Sequence, residues 1–306
     1  MIDMTDAKTI VVLGATGQQG GSVVAALRAD GWAVRAVVRD PSGRRARSLS
    51  AAGVETVRGD LGDPESLRAA FAGAHGVFSV QPNSGQAESE VTDEDEVRFG
   101  TAVADIAQHC GVAHLVYSSA VTAGSTTGVG HLDTKNRVEA HIRNLDIAGT
   151  VVRPATFMEL LVTPGTGLAR GHLSFLMRPD QAMQFIAVRD IGRIVAAVFG
   201  APGRYVGRTM EIAGDALTGS DLAEQLTRAA GRPIGYTRLP TTPEQNEVLG
   251  RLAALVDDGR LAGNANLDAL RTEFPSLLRF DQWLAGPGAG LLDRALRSTD
   301  TGIAPR

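Results

Sequence analysis

Residues 13–21 read LGATGQQGG, and the rest of the chain is best read outward from this stretch. Gly14, Gly17 and Gly20 fall at a GxxGxxG spacing between Thr9–Leu13 (TIVVL), a β-branched apolar run, and Gln18–Ala29, whose apolar residues recur with a helical period. A glycine turn leading from a strand into a helix permits a tight reversal, close approach of backbone to a ligand and close packing of the helix. The helix that follows offers unpaired N–H groups and the positive end of its dipole to an anion. The spacing departs from the commoner GxGxxG. Its place between strand and helix is what points to a dinucleotide pyrophosphate.

The strand and helix rhythm continues. AVRAVV at 33–38, VETVRGD at 54–60, GVFSV at 76–80, HLVYSSA at 114–120 and TVVRP at 150–154 read as strands. DPESLRAAFAG at 63–73, residues 97–109 and a segment beginning near Asp133 read as helices. Such alternation predicts an α/β fold, a doubly wound parallel sheet of Rossmann type, over residues 8–155. Beyond Pro154 the alternation decays, although DIGRIVAAVF and GSDLAEQLTRAA look helical and RTMEIAG looks like a strand. Residues 156–306 are therefore expected to form a smaller C-terminal lobe, interleaved with late sheet strands and closing a pocket at the sheet's carboxyl edge.

Composition narrows the function. Lys plus Arg total 30 against 34 Asp plus Glu, a formal charge of -4, which argues against direct nucleic-acid binding through a basic surface. Cys110 is the only cysteine, so no intrachain disulfide or paired-thiolate metal site is available. The six histidines show no metal-ligand spacing, and no metal is expected. The chain has no HExxH pair, no GKS or GKT, and no GxSxG around SSA. MIDMTDAK lacks the basic and apolar regions of a signal peptide and no 18-residue apolar run follows, so a cytoplasmic protein without a membrane span is expected. ESEVTDEDE at 88–96 reads as a solvated loop and helix entry, and GRRAR at 43–47 as the start of an exposed helix near any bound nucleotide.

The end of the second strand selects the nucleotide. Enzymes that use NAD place an acid there for the ribose hydroxyls, whereas this chain has Arg39 in AVVRD. A guanidinium suits the 2′-phosphate of NADP and gains nothing selective from a bare hydroxyl. Asp40 follows at once, but Pro41, Arg44 and Arg45 favour a phosphate pocket.

VLGATGQQGGSVV, AVVRDP, VRGDLGDPESL, HLVYSSA, KNRVEAHIR and VVRPATFME, in this order, resemble the NmrA-like group of atypical short-chain dehydrogenases/reductases, especially its HSCARG-type branch. The later AVRDIGRIVAAVF and FDQWLA fit too, so the resemblance covers most of the chain. It implies that Thr16, Gln18 and Gln19 line the phosphates with Gly14, Gly17 and Gly20, that Arg39 takes the 2′-phosphate, and that Asp60 and Leu61 lie by the adenine. It also implies that Gln81, Pro82, Ser118 and Pro154 to Phe157 border the nicotinamide half. These positions all follow strands, where open sheets bind ligands, although Asp60 reads equally as a turn residue.

Classical members of the wider superfamily use Ser, Tyr and a Lys one helical turn beyond the Tyr, so that the lysine lowers the phenol's pKa. The matching segment here is HLDTK, with His131 and Lys135, and the tyrosine is missing. Ser118 stands at the serine position. Either His131 or Lys135 serves as general acid or base, or Lys135 only grips the nicotinamide ribose and His131 merely starts a helix. Phe157, Met158 and the MQFIAV segment with Phe185 suit a flat organic substrate and suit a lobe core equally. The resemblance implies two activities. One is an NADPH-dependent reductase of a small apolar carbonyl or quinone-like compound. The other is a non-catalytic NADPH/NADP⁺ redox sensor regulating a protein. Expected partners are accordingly NADP(H), a small-molecule substrate or a regulatory protein, and a second copy of the chain in a homodimer.

Overall fold

The computed structural model describes residues 8–86, 89–122, 124–240 and 247–298. The stretch read for targeting, apart from Lys8, and Glu88 of the acidic segment lie outside them. The chain forms two units. The first comprises residues up to Thr126, Gly130–Arg153 and Ile191–Met210; the second comprises Thr127–Val129, Pro154–Asp190 and residues from Glu211 onward.

In chain order the elements begin β1 (Thr9–Val12), α1 (Gln18–Ala29), β2 (Ala33–Val38), α2 (Arg44–Ala51), β3 (Glu55–Arg58), α3 (Pro64–Phe71), β4 (Gly76–Ser79) and α4 (Asp93–His109). They continue with β5 (His114–Ser118), α5 (Gly130–Asn144), β6 (Gly149–Pro154), β7 (Thr156–Phe157), β8 (His172–Phe175), β9 (Met183–Ile186), α6 (Val188–Gly200), α7 (Pro202–Tyr205) and β10 (Thr209–Ile212). β11 (Asp215–Leu217), α8 (Gly219–Ala230), β12 (Gly235–Arg238), α9 (Glu247–Asp257), α10 (Leu267–Glu273), α11 (Phe280–Ala285) and α12 (Ala289–Arg297) complete the series.

The main sheet has the order β10-β6-β5-β4-β1-β2-β3, and β1 pairs in parallel with both β2 and β4. The order reverses between β1 and β4, which is the switch point of a doubly wound sheet. β4 and β5 are buried along their whole length, as helices on both faces require, so they read as continuous apolar runs without alternation. α4 starts at Asp93, ahead of its apolar run. Thr92 and Asp95 form a reciprocal capping box, and the acids of the first turn suit the dipole. α5 likewise begins at Gly130 rather than near Asp133.

Residues 191–210, expected in the lobe, belong to the first unit. The reason lies in α6: a Cβ on Gly192 would stand 2.4 Å from the carbonyl oxygen of Ser22 on α1, and the Phe199 ring fills the space beside Gly76 of β4. The second unit holds its own core of Met158, Phe185, Leu222, Phe280 and Trp283, with β7, β9 and β11 in one small sheet and β8 paired with β12. Among the described residues no helix is long and apolar enough to cross a membrane.

His114 opens β5 in a dry setting. Its Nε2 lies 2.8 Å from Thr150 Oγ1, which itself donates to the Tyr205 carbonyl, so the imidazole donates and is neutral; Nδ1 is buried without a partner among the described residues. Burial, with His75 adding a little, lowers its pKa to about 4 from 6.5. The unfolded chain takes up this proton below about pH 6.5 and the folded chain only near pH 4, so the contribution is complete above pH 6.5 and lost as pH falls toward 4. Urea unfolding across that window should show wild-type stability falling by about 3 kcal/mol relative to His114→Gln; parallel curves would refute the assignment.

Candidate functional site

The glycine turn is built by contact of backbone on backbone. Gly14 has φ +64°, and a Cβ on Gly20 would lie 2.2 Å from the Gly14 carbonyl oxygen, so α1 rests directly on the turn that precedes it. The Gly17 N–H donates to Gly14 O at 2.8 Å, and Gly17 then starts α1 without any side-chain cap. Gly14, Thr16, Gly17 and Gln18 are exposed. The twelve-residue helix therefore starts at an exposed Gln18, after an exposed glycine loop, with no side chain capping its first N–H groups.

At the end of β2, Arg39 is exposed and has no hydrogen-bond or ion-pair partner among the described residues; Arg44 and Arg45 are exposed on α2. Asp40 is turned into its own loop. Its Oδ1 accepts from Ser42 Oγ at 2.6 Å and Ser42 N at 2.9 Å, and these two bonds hold its carboxyl below the usual range, with Arg58 and Arg47 contributing. The free cation and the engaged acid match a phosphorylated ribose better than a bare one.

The other strand ends follow. Asp60 Oδ1 accepts from Gly62 N at 2.7 Å and shapes a turn, and Leu61 packs half-buried against the core of the first unit. Gln81 is buried, with one amide atom 2.8 Å from Ser79 Oγ and the other without a partner among the described residues; Pro82 is half-buried. Ser118 Oγ donates to Gln19 Oε1 at 2.7 Å, which ties the end of β5 to the first turn of α1.

The head of α5 departs from the simple picture. Lys135 is buried and its Nζ donates to Glu96 of α4, to whose other oxygen Thr134 Oγ1 donates at 2.7 Å. Glu96, expected within a solvated acidic stretch, has no exposed surface at all. It occupies the inner face of α4 one turn before Gly100, where a Cβ would come 2.7 Å from Val138 of α5. This close approach lets the carboxylate reach Lys135. The signal was available in the helical spacing of Glu96 with Gly100, Val103 and Ala107, all of which are buried.

His131 lies over the loop after β4, its ring within 2.8 Å of where a Gly85 Cβ would stand. Ser84 Oγ donates to Asp93 at 2.6 Å, so the same loop is also held by α4. Burial, aided by the Lys135 charge, lowers the His131 pKa against the opposing pull of Glu96 and Asp93, leaving a neutral imidazole at neutral pH. One turn beyond Lys135, the buried Glu139 accepts Arg153 Nε and Nη2 at 2.9 and 2.7 Å and Ser119 Oγ at 2.5 Å. Burial works to raise its carboxyl, and these bonds outweigh it. The Tyr117 hydroxyl, buried without a partner among the described residues, is held above its usual range by burial and then by Glu96 and Glu139.

In the second unit, Pro154 is buried at the end of β6 and Phe157 is half-buried in β7. Met158 and Phe185, expected beside a substrate, have no exposed surface and pack into that unit's core with Leu222 and Trp283. Their apolar character serves packing. Of Phe157, Met158 and Phe185, only Phe157 is half-buried.

The pattern of the NmrA-like family matches residues 6–258, which is most of the chain. The chain belongs to the NmrA-like family. An NmrA-like family domain-containing oxidoreductase, cpsB of Aspergillus campestris, is 32% identical over 259 residues, 76% of each chain. The NAD(P)H azoreductase of Xenophilus azovorans is 29% identical over 244 residues, 79% of this chain and 80% of that one. Among solved structures, NmrA, a negative transcriptional regulator in complex with NADP, superposes with a TM-score of 0.74 over 92% of this chain and 95% of that one, at 21% identity.

For this NmrA-like chain the glycine turn makes a graded prediction. Gly20→Ala forces its methyl onto the Gly14 carbonyl and should lower stability by about 1–3 kcal/mol. At Gly17 a Cβ would lie 3.3 Å from the same oxygen, so Gly17→Ala should cost well under half as much. Equal melting temperatures for the two variants would show that helix α1 does not rest on the turn as described.

Proposed function

We propose that this NmrA-like protein binds NADP(H) and reduces a small apolar carbonyl or quinone-like compound. The observation that carries the cofactor reading is the pairing of an uncapped helix start at an exposed glycine loop with Arg39, which is exposed and unpartnered among the described residues while Asp40 is engaged by Ser42. Backbone N–H groups at Gln18 to Gly20 would hold the pyrophosphate, Arg39 the 2′-phosphate, and Asp60, Leu61, Gln81 and Pro82 would flank the remainder. The resemblance of the chain to an NAD(P)H azoreductase and to oxidoreductases of its family supports a reductase. The single half-buried cysteine agrees with a cytoplasmic location.

When bound, NADPH supplies a hydride; the chain's own residues position it and manage the proton. Lys135 would meet the nicotinamide ribose from α5. His131, neutral at pH 7 and one turn earlier, is the side chain of that pair suited to exchanging a proton near neutrality. Ser118, whose proton is engaged by Gln19, would serve to shape the pocket floor.

The redox-sensor reading draws on a separate observation. Lys135 is already engaged by Glu96 and no tyrosine precedes it on α5, so the proton-donating group of the classical enzymes has no direct counterpart. A structural relative named as a transcriptional regulator binds NADP.

Calorimetry with NADPH and NADH tests the cofactor. Arg39→Ala should lower the NADPH/NADH affinity ratio by about 10- to 100-fold, the equivalent of charge-assisted hydrogen bonds worth about 1.5–3 kcal/mol. An unchanged ratio would remove Arg39 from the phosphate site. Oxidation of NADPH in the presence of quinones, aldehydes, enones and azo dyes tests the reaction. Turnover that His131→Ala and Lys135→Ala suppress at saturating cofactor supports the reductase. NADPH binding without turnover, accompanied by different protease protection with NADPH and NADP⁺, supports the sensor.

A further inference from the structure

The cofactor site as proposed assigns no role to Glu96, a carboxylate removed from water on α4. A buried carboxylate with a single cationic partner carries a desolvation cost of several kcal/mol unless its hydrogen bonds are well satisfied. Here one oxygen receives the Lys135 ammonium and the other the Thr134 hydroxyl, both from consecutive residues of α5. The bond costs Lys135 its freedom: a side chain with four rotatable carbons is fixed in one direction at the head of α5, 6% exposed. The Gly100 notch that brings α4 against Val138 makes this reach available, so the packing of the two helices and the placement of the ammonium are one construction.

We propose that Glu96 is a positioning residue for nucleotide binding: it holds the Lys135 side chain pre-oriented, so that the ammonium meets the nicotinamide ribose without first being ordered. The inference rests on the reading that Lys135 contacts the cofactor. Glu96 itself touches no ligand and acts through Lys135. Removing its charge while keeping its shape therefore weakens binding only when the lysine is present.

A double-mutant cycle on the full chain tests this, with NADPH as the probe and two readouts, the dissociation constant and the emission of the bound nicotinamide. Glu96→Gln keeps the shape of the side chain and should bind NADPH about tenfold more weakly, with bound-cofactor emission shifted toward that of Lys135→Met. Lys135→Met should weaken binding at least as much. In the Lys135→Met background, Glu96→Gln should add nothing. If Glu96→Gln lowers the melting temperature but leaves affinity and emission at wild-type values while Lys135→Met weakens binding, Glu96 is only a packing residue and the inference falls alone. It falls in the same way if the loss is equal in both backgrounds. If Lys135→Met has no effect, or wild-type protein does not bind NADPH, the underlying reading falls and takes the inference with it. Should Glu96→Gln not fold, Glu96→Asp keeps the charge and shortens the reach; it should weaken binding in the wild-type background and not in Lys135→Met, and any other pattern overturns the inference.

Discussion

Two carboxylates with no exposed surface, Glu96 and Glu139, set the conditions under which the first unit can fold. An ionised carboxylate withdrawn from water must be met by positive charge and by donors for its remaining lone pairs, and removing one partner of such a pair is far more damaging than replacing both. The chain meets the requirement at adjacent turns of α5. Lys135 faces α4 through Glu96, and Glu139 faces the strand ends through Arg153 of β6 and Ser119 just after β5. α5 is thereby pinned between a helix and the sheet's carboxyl edge. Ser118, next to Ser119, then carries the restraint to Gln19 in the first turn of α1. The glycine turn and the head of α5 are joined through a short series of polar contacts, which is how a site assembled from distant segments keeps its geometry.

Most of this architecture was legible in the sequence, because the signals that define a doubly wound sheet are local. The apolar run at Thr9–Leu13 contains β1, which stops one residue earlier, and the glycine turn and the amphipathic stretch at Gln18–Ala29 match the turn and α1. Helix starts were less legible. The capping box at Thr92 moves the start of α4 ahead of its apolar face, since capping depends on polar residues that apolar periodicity ignores. Pairing across the sequence was not legible at all. Glu96 and Lys135 are 39 positions apart, and within DEDE nothing in charge alone separates the buried acid from its solvated neighbours. Only its register with Gly100 and Val103 does. Met158 and Phe185 show the converse: an apolar side chain looks the same whether it lines a pocket or fills a core, and tertiary packing decides.

The two cations of the proposed site differ in what a ligand must displace to engage them. Arg39 is exposed and has no ion-pair partner among the described residues, so a phosphate in the proposed site would gain a charge-assisted contact at the expense of water alone. Lys135 already holds a buried carboxylate, so a ribose hydroxyl gains from it only what Glu96 leaves unused of the ammonium's three donors. On this division the exposed arginine would govern how selectively a phosphorylated nucleotide is held in the proposed site. The buried lysine would add a contact whose direction Glu96 has already fixed. A lysine tethered in this way loses little entropy on binding, but it is also a poor proton donor, because its departure would strand Glu96 in a dry interior. In the proposed site His131, whose neutral imidazole sits one turn away against Gly85, would pass on only a proton it had first taken up from solvent.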